Sequence, residues 1–255
     1  RADAPIYFTD LRDDSVGGDS NNDGDASAPG SDWWRAIFVQ NNGSATFDWC
    51  TISYAGWWES ANIAKSGTGS LSLKNSTISY SVEDGLRIAE GSSSLILANN
   101  NFSNNYRGVR LGINSSFDDN TSNFHDNNIN VYVDAGIISQ NTVWNLKKDY
   151  SFCVRGDITI AEGATLEIKP GTVVKPGDNV GIWVDGTLNA VGTSIAPIYF
   201  TDFRDDTVGG DNYQDGNNTL PAPDWWRAIF VQTNGSAIFD WCTISYGGWW
   251  DAANI

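Results

Sequence analysis

The chain has 255 residues, is rich in Gly, Asn, Ser and Asp, holds 12 Trp and no Met, and carries a formal charge of −16. With 15 Lys and Arg against 31 Asp and Glu, it lacks the basic stripe that displaces phosphate counterions, which excludes a nucleic-acid partner. No apolar run approaches the roughly 20 residues of a membrane span, and strong acidity suits an extracellular or cell-surface protein, or carboxylates neutralised by bound cations.

The chain opens on a segment that returns at its end. Residues 4–63 align without a gap with residues 196–255, and 44 of these 60 positions are identical, at an offset of 192 residues. Such an offset marks a tandemly duplicated domain. Residues 1–155 read as the C-terminal part of one module and residues 156–255 as the N-terminal part of the next. The expected partners are adjacent modules of the same chain or further copies of it.

Inside the shared segment lies an acidic insertion, residues 10–32, met again as residues 202–224. Asp19-Ser20-Asn21-Asn22-Asp23-Gly24-Asp25 fits the pattern D-x-[DN]-x-[DN]-G, in which alternate oxygens face a hard cation and Gly permits the sharp turn. Carboxylate and amide oxygens favour Ca²⁺ over softer metals. The Glu that closes an EF-hand loop is missing, since Gly30 stands there, and Asp13, Asp14 or Asp32 could substitute. The second copy keeps Asp205, Asp206, Asp211 and Asp215, with Asn217 following, but Tyr213 replaces the middle ligand. The competing reading is a solvated acidic loop held by Asx-turns. A loop of this length without secondary structure needs something to order it, which favours the metal.

The insertions are followed by tryptophan pairs, Trp33-Trp34 and Trp57-Trp58, repeated as Trp225-Trp226 and Trp249-Trp250. Adjacent strand residues face opposite ways, so one of each pair is exposed or covered by the loop. Packing under the loop, a subunit interface and a sugar-stacking surface are the three readings.

From residue 47 onward a rhythm of about 22 to 26 residues sets in. Phe47, Leu73 and Leu97 fall in one column; Ile52, Ile78, Phe102 and Phe124 in a second; Ile63, Ile88, Leu111 and Val133 in a third. A polar column, Cys50, Ser76, Asn100 and Ser122, falls at one turn of every rung, where side chains can bond to the same position one coil away. Asn- and Ser-rich turns separate the short apolar runs, and no sustained 3.6-residue period exists. These features predict an all-β solenoid of parallel coils, about three short strands each. Lys147-Lys148-Asp149 is the best linker candidate. Cys50 and Cys242 are the same repeat position, so with Cys153 a module holds two cysteines, either a disulfide or free half-buried thiols. Seven N-x-[ST] matches occur, among them Asn75-Ser76-Thr77, and an Asn- and Ser-rich chain produces many such matches by chance.

The stretch from Gly156-Asp157-Ile158-Thr159-Ile160 through Leu166-Glu167-Ile168-Lys169-Pro170-Gly171-Thr172-Val173-Val174-Lys175, followed by Gly186-Thr187-Leu188, resembles the opening rungs of right-handed parallel β-helix regions in large secreted bacterial proteins. The resemblance implies the right-handed parallel β-helix and leaves the activity open, because that coil supports enzymes, adhesins and inert stalks alike. Polygalacturonase-like families carry Gly-His-Gly and Arg-Ile-Lys, whereas this chain has His125 between Phe124 and Asp126, and Arg87-Ile88-Ala89. Pectate-lyase-like chemistry needs calcium beside a base; Arg12, Arg35, Arg204 and Arg227 flank the acidic loops. The expected function is a structural extracellular rod, stalk or filament with calcium-stabilised loops, the alternative a polysaccharide-binding or polysaccharide-cleaving β-helix.

Overall fold

A computed structural model describes residues 1–58, 61–91, 95–212, 214–249 and 253–255. Among them there is no helix, and every strand is two to five residues long. Neighbouring strands run parallel and come from successive coils. The protein is therefore an all-β parallel solenoid, in keeping with the right-handed β-helix expected and with the hand that parallel crossovers take. Its contacts divide it into two compact units, Arg1–Arg110 with Ser122–Asn128, and Leu111–Thr121 with Ile129–Ile255.

In the first unit, one sheet runs Ile6–Phe8, Cys50–Ser53, Thr77–Ser79, Asn101–Ser103, Asn123–His125, and a second runs Ala45–Asp48, Leu71–Lys74, Leu95–Ala98. Ile52 lies against Ile78, Ile78 against Phe102 and Phe102 against Phe124, offsets of 26, 24 and 22 residues. Phe47, Leu73 and Leu97 form the expected column in the second sheet. The third expected column is corrected: Ile63 pairs with Leu86, and Ile88 pairs with Lys65. A shift of two residues leaves the same side chains facing inward, so alternation alone cannot register this strand.

In the second unit, one sheet runs Ile129–Val133, Ser151–Val154, Val173–Pro176, Ile198–Phe200, Cys242–Ile244, and another runs Phe117–Asp118, Thr142–Asn145, Thr165–Ile168, Thr187–Val191, Ser236–Asp240. A third holds Gly136–Ile138, Ile158–Ile160, Ile182–Val184 and Ile229–Val231. Inward residues such as Ile158, Ile160, Leu188 and Phe200 are fully buried. Trp144 stacks on Phe152 inside the coil, their ring centroids 5.1 Å apart.

The polar column is a ladder of hydrogen bonds. Cys50 N donates to Ser76 Oγ at 3.0 Å, Ser76 N to Asn100 Oδ1 at 3.2 Å, and Asn100 N to Ser122 Oγ at 2.9 Å. Each coil thus satisfies amides that the turn of the coil before it leaves buried. A second ladder escaped the sequence reading: Ser81 N donates to Asn105 Oδ1 and Asn105 N to Asn127 Oδ1, each at 3.0 Å. The turns carry left-handed residues, Asn75 and Asn99 before one ladder and Tyr54, Tyr80 and Asn104 before the other. Asn tolerates that conformation; Tyr adopts it at a cost, offset here by stacking of Tyr54 on Tyr80 at 5.0 Å. Asn100→Ala removes the acceptor for Ser76 N and the donor to Leu73 O. With both partners buried, the loss expected in urea unfolding is about 2–3 kcal/mol.

Candidate metal centres

Each acidic loop is anchored at its root by the same three side chains. Asp10 accepts from the backbone N–H of Arg12 and Gly30 and pairs with the Arg12 guanidinium at 2.5 Å. Asp202 does the same with Arg204 at 2.6 Å and with the N–H of Ala222. Both carboxylates are fully buried. The two guanidiniums lie flat on Trp33 and Trp225, at 3.8 and 3.5 Å from the ring centroids, a cation–π contact that fixes the loop to the first Trp of each pair. Burial pushes the Asp10 carboxyl up, but the hydrogen bonds from Arg12 and Gly30 outweigh it and leave the pKa lowered.

Beyond this root the aspartates separate into two sets. Asp13 accepts from the hydroxyls of Thr9 and Ser15, and Asp205 from those of Thr201 and Thr207. Asp25 and Asn217 stand exposed. The remaining acids converge: one carboxylate oxygen each of Asp14, Asp19 and Asp23 lie within 4.8 Å of one another, and so do those of Asp206, Asp211 and Asp215. Asp19 also accepts from the N–H groups of Asp23 and Gly24, and Asp211 from those of Asp215 and Gly216, so the same turn builds both clusters. Asn21 lies beside Asp23, to which its amide donates at 3.0 Å.

Several oxygens in these clusters are sealed from solvent without a protein donor: Asp14 Oδ1 and Asn21 Oδ1 in the first loop, Asp206 Oδ1 and Asp215 Oδ1 in the second. Converging carboxylates beside buried oxygens that lack a protein donor fit a hard cation. The electrostatics agree. Desolvation, then the neighbouring Asp19, Asp23, Asp25 and Asp13, raise the pKa of Asp14. Asp206 is pushed up to about 6 by desolvation and Asp211, against a downward pull from Lys175. The two loops differ in what lies beneath them. The second rests on the outer face of the solenoid, where Lys175 is fully buried and donates to Gly210 O at 2.6 Å.

The tryptophans divide similarly. Trp34 and Trp226 turn inward and donate to Ser53 O and Ser245 O at 2.9 and 2.8 Å, while Trp33 and Trp225 carry the arginines. Trp57 and Trp58 meet edge to face at 5.9 Å and are both exposed, Trp58 by 78 %. Trp249 N–H contacts Trp226 O at 3.4 Å. Tyr213 and Trp250 lie outside the described residues.

The cysteines Cys50, Cys153 and Cys242 are free thiols; burial pushes Cys153 up to about 11. The arginines considered as lyase bases are engaged. Arg12 and Arg204 serve the loop roots, Arg227 pairs with Asp157 at 3.2 Å and donates to Asn179, and Arg35 lies over Phe38. Asp84, which feels the charges of Arg87 and Arg110, is tied to Arg107. No protein-family model, no curated protein and no solved structure matches the chain.

Proposed function

We propose that the chain is part of an extracellular or cell-surface tandem-repeat solenoid, a rod or stalk whose modules each carry one calcium-stiffened acidic loop. The observation that carries the calcium reading is the repetition of one cluster. Asp14, Asp19 and Asp23 in one loop and Asp206, Asp211 and Asp215 in the other both converge, although the loops differ at Ser20, Asn21, Asn22 and Asp25. Both clusters keep sealed oxygens that a divalent ion would coordinate. A spacing role suits the close similarity of the copies, because it needs many equivalent units. No helix among the described residues is long and apolar enough to cross a membrane.

The test is thermal and chemical unfolding in 10 mM Ca²⁺ against EDTA. Extracellular calcium modules bind in the range of about 10⁻⁴–10⁻³ M, so 10 mM corresponds to roughly 10–100 Kd and a gain of about 1.4–2.7 kcal/mol for each loop. The double variant Asp14→Asn with Asp206→Asn should lose the response and be more stable than the parent in EDTA, because it removes one repelling charge from each loop. The gain should also grow with pH. A carboxyl whose folded pKa is raised to about 6 holds a proton that the unfolded chain has released, so in EDTA its contribution falls as pH rises from near 4 to 6. Calcium offsets that loss only once the carboxylate is charged. Equal stability in calcium and EDTA at pH 7.5 would sink the calcium reading, and compact isolated particles in electron micrographs would count against the rod.

A second reading, glycan binding, is favoured by the exposed pair Trp57 and Trp58, whose rings could stack on sugar faces. A polysaccharide panel read for binding, for reducing ends and for unsaturated products separates it from the structural role.

A further inference from the structure

The chain contains its own control experiment, because the same segment occurs in two surroundings. In the second unit, Ile198 and Phe200 are 0 % exposed and Phe203 is 1 % exposed; their counterparts in the first unit, Ile6, Phe8 and Leu11, are 58 %, 38 % and 57 % exposed. The sequence is not the cause, since Ile and Phe are unchanged at the first two positions and Leu11 replaces a similar apolar residue. What differs is what lies against them.

In the second unit the strand Ile198–Phe200 is paired on its N-terminal side with Val173–Pro176. Tyr199 N donates to Thr172 O and Thr201 N to Val174 O, both at 3.1 Å. The loop that follows folds back over the outer face of the three preceding coils. Phe203 packs on Ile129, Cys153 and Tyr132, with the Arg155 guanidinium 4.7 Å from its ring. Asn212 donates to Ser151 Oγ and accepts from Cys153 Sγ, each at 3.2 Å, and Gly209 N donates to Lys148 O at 3.2 Å. Gly209 comes so close that an added Cβ would meet Val173 Cγ1 at 2.8 Å and Ser151 Cβ at 2.9 Å. At Gly17, its counterpart, an added Cβ would meet nothing within 4 Å. Ile6–Phe8 is an edge strand, an open row of backbone donors and acceptors beside an apolar face.

We infer that the face made by Ile6, Tyr7, Phe8, Leu11 and Gly17 is the seat of three further coils of this same repeat. The occupant carries the groups that Ser151, Cys153, Val173 and Lys175 present beneath the second loop. The second unit displays that occupant in place: an apolar strand to pair with residues 6–8, a groove for the residue at position 11, and a small hydroxyl and thiol under the loop. The inference rests on the tandem-repeat reading and is independent of calcium.

The experiment extends the full chain by placing a second copy of residues 129–195 directly ahead of Ala4. Amide hydrogen exchange is then read at Tyr7, Thr9 and Gly17, with Tyr199, Thr201 and Gly209 as internal standards. The expected result is protection of the first set rising by about tenfold or more toward the standards, together with loss of hydrophobic-dye emission. Leu11→Asp should be silent in the parent chain, where position 11 faces solvent, and should abolish the new protection in the extended chain. Unchanged exchange at Tyr7 and Thr9 overturns the inference, as does a grafted segment that itself stays unprotected while Tyr199 remains protected. Concentration-dependent self-association of the parent that already protects Tyr7 also overturns it, because a second molecule would then be the occupant. Calcium titration of both proteins reports on the loops separately, so a missing calcium response alongside gained protection leaves the seat standing.

Discussion

Phe102→Ala is expected to lower the unfolding free energy by about 3–5 kcal/mol, the range for truncating a buried aromatic side chain. Phe102 is fully buried, lies in register between Ile78 and Phe124, and stacks on Phe124 with centroids 5.0 Å apart and planes 11° from parallel. Alanine there removes the stack and leaves a cavity bounded by rigid sheet above and below, which cannot collapse to fill it. In a solenoid the contacts of a coil are with its neighbours, so the damage should concentrate at Thr77–Ser79 and Asn123–His125. Urea unfolding gives the size of the loss, and hydrogen exchange its location. A loss below about 1 kcal/mol would mean that the side chains do not interlock as the structure shows.

Arg204→Met is the second large effect, again about 3–5 kcal/mol, because it leaves the buried Asp202 carboxylate without its cation. The guanidinium supplies two of the Asp202 hydrogen bonds and covers Trp225, so the variant should also change Trp225 fluorescence. Arg204→Lys should recover little, since an ammonium can neither form the planar fork nor lie flat on the indole. If lysine restored full stability, the root of the loop would be held by charge alone.

How far the sequence could be read follows from the range of the interactions. The columns through Ile52 and Phe47 were legible because each coil repeats the same inward residue at nearly the same spacing, and the ladder from Cys50 to Ser122 followed from the same alignment. The column through Ile63 was not, since pairing with Leu86 or with Ile88 buries the same face. The ladder through Ser81, Asn105 and Asn127 repeats the offsets of 24 and 22 and could have been found by extending the alignment five residues. Within the loops, the D-x-[DN]-x-[DN]-G pattern singled out Asp19 and Asp23, whose carboxylates the fold brings together with that of Asp14. It could not divide Asp13 from Asp14, which depends on the Thr9 and Ser15 hydroxyls that claim Asp13. The ground beneath the second loop was hidden for another reason: Asn212 meets Ser151 across 61 residues, and no local pattern marks such a contact.

The ladders bear on inheritance. The inner rungs, at Ser76 and Asn100, each contribute one side-chain acceptor to the rung before and one backbone donor to the rung after. A replication slip that deletes or duplicates one whole rung therefore removes or adds a donor and an acceptor together, and leaves no buried amide orphaned. A slip inside the turn itself breaks the match, whereas coils of 26, 24 and 22 residues all keep it. Length can therefore drift by whole rungs or within the rest of a coil, and the turn that carries the ladder is the part held constant.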